Sequence, residues 1–231
     1  MYFYGYDPYF ILVIPAFIFS LYAQFKVKST FNQFSKVLNR RGFTGADIAR
    51  YILDRNGLGD VQVERVAGSL TDHYDPRTKV VRLSGPVYSS TSVSAIGVAA
   101  HETGHALQHA ESYGPLALRT NLVPVAGIGS SIGPYLAIFG LFLGADILVQ
   151  IGLILFAMAV LFYIITLPVE FNASSRAIRI LEESGLLTME EINPARNVLR
   201  AAAMTYVASA AVAIANLARL VLLSGGRRRR D

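Results

Sequence analysis

Residues His101-Glu102-Thr103-Gly104-His105 form the pattern H-E-x-x-H. Four residues carry an α-helix about 400° around its axis, so two histidines at this spacing share one face, a turn apart. Two neutral imidazole nitrogens placed in this way can grip one Zn²⁺ at about 2.0–2.1 Å. Glu102 adjoins the first histidine. It is too close in sequence to bind the same ion comfortably, and well placed to take a proton from water at the metal. Zinc lowers the pKa of that water and polarises a scissile carbonyl, while the glutamate acts as general base and returns the proton to the leaving amine. Three of the four histidines in the chain lie at 101, 105 and 109, and small residues (Ala99, Ala100, Gly104, Ala106) surround the pair and let other structure approach. His109 lies about 12 Å along the axis from His101, out of reach of an ion held by the first two, so a supporting or surface role is expected for it.

A catalytic zinc takes a third protein ligand and keeps one position open. The chain has no cysteine, which excludes thiolate ligands, cysteine nucleophiles and disulfides. The remaining candidates are His73 and a carboxylate elsewhere. Glu170 stands out because it follows Leu167-Pro168 at the end of an apolar run and opens an uncharged stretch, Phe171 to Ser175. A carboxylate at a membrane boundary is costly without a partner, but a charge favoured by a helix N-terminus would look the same. An oxyanion that develops during hydrolysis needs a donor. His73, Tyr74 and Arg176 are the candidates, against the plainer readings of a surface turn for the histidine and a headgroup contact for the arginine.

The elements that must position these groups are mostly apolar. Of 231 residues, 53% are hydrophobic and only 16% charged, well below the roughly 25% usual for soluble domains. That argues for an integral membrane protein and against disorder. The net charge of +5 includes four arginines in one terminal run, Arg227 to Arg230, so the excess is too small to indicate nucleic-acid binding. Four segments are candidates for the bilayer: 8–25, 122–144, 147–169 and 201–223. The first three meet the requirement of roughly 20 apolar residues. Asp146 marks a short turn between the second and third, which makes them a helical hairpin. The fourth contains Asn216 and Arg219; Arg219 could snorkel, and whether this segment spans is open. Gly129 and Gly133 permit close helix packing in the second segment. Lys26 and Lys28 follow the first segment directly, the reverse of a cleaved signal peptide. That order makes it an uncleaved anchor with its N-terminus outside. The block 26–121, with 12 Lys and Arg against 8 acids, is then cytoplasmic, as is 170–200. The terminal arginine run would end outside if the fourth segment spans, against the same tendency.

Within 26–121, a helix continues from the first segment through Thr30 to Leu38. Thr44 and Asp47 resemble a capping box that opens a second helix, stopping at Asn56-Gly57. Two short strands follow, around Val61–Arg65 and Thr78–Ser84, joined through a turn-rich stretch at Asp75-Pro76. The second strand could offer an exposed edge to which a peptide substrate adds. The helix that carries the histidines is expected over about 93–110, capped from Ser89 to Ser94 and ended by Gly114-Pro115. No repeat or linker separates these parts, so one membrane-embedded domain is expected.

Three stretches, Leu70-Thr71-Asp72-His73-Tyr74-Asp75-Pro76, Ala99 to Ala106, and Glu170-Phe171-Asn172-Ala173-Ser174, make the chain resemble the YugP-type membrane zinc metallopeptidases over nearly its whole length. It is more distantly similar to the HtpX and CAAX prenyl protease group of gluzincins. The resemblance implies a mainly α membrane protein with a gluzincin-like zinc-helix core, a small β-hairpin or edge strand and three to four transmembrane helices. It implies one Zn²⁺ held by His101, His105 and Glu170, with Glu102 as base. Many gluzincins carry Asp four residues after the third ligand, where it orients the first histidine. Here that position is Ser174, whose hydroxyl could make a weaker bond of the same kind.

The expected function is a zinc-dependent endopeptidase acting on membrane proteins or polypeptides at the bilayer surface. Two rivals use the same residues differently. A non-catalytic membrane protein would enclose its metal in a closed four-ligand shell. A metal transporter would line a path with intramembrane ionisable groups, although Glu102, His109 and Glu111 make the motif helix too polar to span.

Overall fold

The computed structural model describes residues 7–228, with side chains through residue 226. A 3-10 turn at Pro8–Leu12, capped by the Asp7 carboxylate, leads into α1 (Val13–Phe34). Then follow α2 (Gly45–Arg55), β1 (Gln62–Val66), β2 (His73–Asp75), β3 (Val80–Ser84), the single turn α3 (Gly85–Tyr88) and α4 (Val93–Ala110). Three long helices complete the chain: α5 (Gly114–Leu143), α6 (Asp146–Glu183) and α7 (Met189–Arg228). The chain forms two compact units, one from the described residues within 1–23, 118–167 and 205–231, the other from 24–117 and 168–204.

The first unit is built from apolar helices. Among the described residues, four helices are long and apolar enough to cross a membrane: Pro8–Phe34, Gly114–Leu143, Asp146–Glu183 and Met189–Gly226. The fourth apolar segment is therefore part of a helix of spanning length, like the other three. Glycines set the spacing between α5 and α6. A Cβ at Gly129 would overlap the Leu155 carbonyl oxygen, and one at Gly152 would overlap the Ala137 nitrogen. The two backbones therefore touch where side chains would otherwise separate them. Ala137, Phe156, Ala159 and Leu220 form a small buried cluster. Arg219 does not snorkel alone, as the sequence suggested. It pairs with Asp7 and stacks over the Phe10 ring, 5.4 Å from its centre. The side chains of the Arg227–Arg230 run lie outside the described residues.

The second unit holds the sheet and a conventional core. Thr44 and Asp47 exchange both bonds of a capping box at the start of α2, and Gly57, at φ +72°, ends it in a conformation that favours glycine. Ile48 and Ile52 of α2 and Ile96 of α4 pack with Leu181 and Ile192, while Leu53, Val81, Leu83, Ala95 and Ala99 fill the space under the sheet.

The sheet corrects two expectations. Its order is β1-β3-β2, with β1 parallel and β2 antiparallel to β3. The hairpin is β2–β3, and β2 occupies residues read from sequence as part of a turn. The strand expected to offer an edge, β3, is paired on both sides, so the open edges belong to β1 and β2. The first helix also stops at Phe34, short of the expected Leu38. Leu38 instead bridges to Ser92, the residue that caps α4.

Candidate metal centre

The α4 helix spans Val93–Ala110, and its Ser92 side chain accepts from the Ala95 N–H. The helix has almost no exposed face along its length; His101, Glu102 and His105 are 9%, 8% and 8% exposed. Gly104, between the histidines, lets α6 come against α4. A Cβ there would lie 2.8 Å from the Ala173 carbonyl oxygen. This contact brings Glu170, 1% exposed, opposite the histidine pair. One Glu170 oxygen, Oε2, lies 3.2 Å from His101 Nε2 and 3.5 Å from His105 Nε2. Among the described residues, these three form a group able to hold a metal, with ligand atoms within 4.8 Å of one another.

The far sides of both rings are occupied. His101 Nδ1 meets the Ser174 hydroxyl at 3.1 Å. Ser174 thus touches the first histidine of the pair, as the sequence led one to expect. His105 Nδ1 meets Gln108 Oε1 at 2.9 Å. Both Nε2 atoms are left facing the carboxylate, so the inward-facing set is two imidazole nitrogens and a carboxylate oxygen, all of them electron-pair donors. A tetrahedron with bonds of about 2.0–2.1 Å has edges of roughly 3.3 Å, and the two nitrogen–oxygen separations match that edge. The residues fit a zinc ion.

Burial pushes the Glu102 carboxyl above the usual range; the two histidines draw it back, while Glu170 and Asp72 push it further up. Burial presses His105 towards the neutral form, but the Glu170 carboxylate outweighs this and raises its pKa. A positive charge at Nε2 is therefore favoured, whether a proton or a cation carries it.

The other predicted residues fall around this group in different ways. His73 is exposed, and its Nδ1 donates to the Thr71 carbonyl at 2.8 Å, so it does not join the ligand set. Burial pushes the Tyr74 phenol up to about 12. It therefore keeps its proton, and its hydroxyl meets His109 Nδ1 at 2.8 Å. Arg176 donates from Nε to Asn172 Oδ1 and from Nη1 to Glu111 Oε1, each at 2.7 Å. Sequence reasoning missed Gln108 and Asn172. Gln108 is fully buried, and its amide also donates to Asn172 Oδ1 at 2.9 Å. The available signal was position alone: Gln108 lies three residues after His105, on the same helix face. Asp72 was quoted only within a motif, yet it takes both the Ser84 N–H (2.7 Å) and hydroxyl (3.0 Å), fastening β2 to the end of β3.

The profile of the family described as "Putative neutral zinc metallopeptidase" matches residues 9–225. This chain belongs to that family. It is also 55% identical over 212 residues to a Bacillus subtilis (strain 168) protein described as "Putative membrane protease YugP", covering 92% of this chain and 94% of that one. No solved structure matches the chain. Zinc is the metal that the family's description names, and the His-His-Glu group has the donor types to hold it.

Proposed function

We propose that the protein is a membrane zinc endopeptidase, with His101, His105 and Glu170 holding one Zn²⁺ and Glu102 acting as general base. The observation that carries this reading is the convergence of three electron-pair donors on one point, with a fourth buried group, Glu102, left out of the ligand set. When bound, zinc supplies a Lewis acid that acidifies water and polarises the scissile carbonyl. Glu102 takes the proton from water and passes it to the leaving amine, a task suited to a carboxyl whose pKa is raised by burial. Ser174 and Gln108 hold the two rings. The Tyr74 hydroxyl and Arg176 are committed to His109, Glu111 and Asn172, so an oxyanion role for either requires that bond to break. The β2 edge, on the strand that leads from Asp72 to Tyr74, is a place for an extended substrate segment to pair.

In this reading all four apolar helices cross the bilayer. The basic excess of 26–121 supports the cytoplasm for the zinc unit, where membrane proteins and polypeptides at the bilayer surface are the substrates. Because the chain lacks cysteine, Ser69→Cys provides one reporter. Labelling by an impermeant maleimide in inverted vesicles but not in intact cells is the expected result; the opposite pattern moves the active site outside.

The central test uses purified protein in detergent with an unfolded polypeptide substrate. Glu102→Gln should retain one zinc per chain and lose activity by about 10²–10⁴-fold. Undiminished cleavage removes Glu102 from the mechanism. A saturated shell of four protein ligands in a zinc-bound structure would favour a structural metal site instead.

A further inference from the structure

Gln108 is a fully buried amide, three residues after a metal-ligand candidate, and all of its bonds are accounted for. Its Nε2 lies 2.8 Å from the Val169 carbonyl oxygen and 2.9 Å from Asn172 Oδ1. A backbone carbonyl can only accept. The Asn172 atom is likewise fixed as oxygen, because Arg176 Nε, which can only donate, points at it from 2.7 Å. The Gln108 group facing these two acceptors must therefore be its NH₂. Its other end, facing His105 Nδ1 at 2.9 Å, must be the carbonyl oxygen. A carbonyl oxygen demands a donor, so His105 Nδ1 carries hydrogen and Nε2, facing Glu170 at 3.5 Å, is the nitrogen turned to the metal position. His101 has no such lock, since the Ser174 hydroxyl at its Nδ1 can donate or accept.

We propose that Gln108 is a positioning residue that fixes the Nδ1–H tautomer of His105 and, through its NH₂ group, fastens the α6 turn carrying Glu170 to α4. The role rests on the His-His-Glu metal reading above. The bonds to Val169 and Asn172 bracket Glu170 in sequence, so one side chain sets both the protonated atom of the second histidine and the seating of the carboxylate opposite. Arg176 and Glu111 extend the same chain of bonds from Asn172 to the surface. An isolated histidine favours hydrogen on Nε2, the tautomer that would turn an N–H towards the metal position.

Selective ¹⁵N-histidine NMR on metal-free protein in micelles, at a pH above the histidine titrations, reads the tautomer without zinc or substrate. Wild-type His105 should show hydrogen on Nδ1. Gln108→Met should lose that preference and bind zinc about 10–100-fold more weakly in chelator competition. Gln108→Glu keeps an acceptor for His105 but presents no NH₂ to Val169 and Asn172. It should preserve the tautomer while lowering the melting temperature. Wild-type His105 without hydrogen on Nδ1 overturns the proposal, as does zinc affinity in Gln108→Met within twofold of wild type. If Gln108→Met does not fold, the wild-type tautomer and Gln108→Glu decide: loss of the Nδ1–H form in the latter sinks the idea. A wild-type protein with the expected tautomer that binds no zinc would instead refute the metallopeptidase reading and leave the Gln108 lock standing.

Discussion

The two units bury polar groups in opposite ways. In the apolar helical unit, Asp7 and Arg219 lie 212 residues apart in sequence and neutralise each other, with the Phe10 ring against the guanidinium. In the other unit, His101, His105 and Glu170 bring two imidazoles and a carboxylate to one point. The first arrangement is complete in itself. The second gathers the donor types that a metal ion takes. Burial of charge is costly in both places, and in the second it is arranged around a point that a ligand can occupy.

The largest effects should come from removing what the cluster needs. Glu170→Ala should weaken zinc binding by more than the 10–100-fold typical of losing a supporting partner, measured by chelator competition. Stripping zinc from the wild type should cost about 4 kcal/mol of stability if the ion was present at about 1,000 times its Kd, read as a lower melting temperature. In Arg219→Leu the chelator-induced drop should be unchanged, because that pair does not depend on zinc. A drop that vanished would mean that the two polar groups are coupled.

Breaking the complete pair comes next. Arg219→Leu strands a partly buried carboxylate and should cost up to about 3 kcal/mol, the lower end for a buried pair that loses one member. Leu at both 7 and 219 should recover most of that loss. A double variant no better than the single one would show that the pair adds nothing beyond its separate charges. The glycine contacts sharpen the contrast further. Gly104→Ala and Gly129→Ala should each cost about 1–3 kcal/mol through overpacking, but only Gly104→Ala should also weaken zinc binding.

The smallest effect concerns pH at the sheet. The Thr78 hydroxyl, with Arg82, holds the Asp75 carboxyl down at about 2, below its ordinary 3.8. Its folded pKa is depressed, so its contribution to stability is present above about 3.8 and is lost as the pH falls towards 2. Replacing it, Asp75→Asn, should flatten the melting temperature against pH in that window. An unaltered acid limb would assign the loss to other carboxylates.

The zinc helix was legible because its signals are local: the i, i+4 histidines, Ser92 at the start and the glycine-proline stop. The capping box at Thr44 was legible for the same reason, and the four apolar segments because the bilayer's demand for length is crude. Glu170 stood level with a helix-dipole charge until the family resemblance singled it out. What stayed hidden depends on distant partners. β2 has three residues and no alternation, so nothing marks it as a strand until β3 lies beside it. The central place of β3 follows from parallel pairing with β1, a non-local choice. Gln108 looks like any polar residue near a helix end, because a neutral amide shows its partners only in three dimensions. The Asp7–Arg219 pair spans nearly the whole chain.

At Gly104 only a hydrogen atom separates two main chains, so no side chain there holds apart the backbones that carry the histidines and the opposing carboxylate. The spacing of the two helices at the centre is set by atomic radii. Calcium, which asks for six to eight oxygens at about 2.3–2.6 Å, meets two imidazole nitrogens and a single carboxylate here, a donor set better suited to zinc.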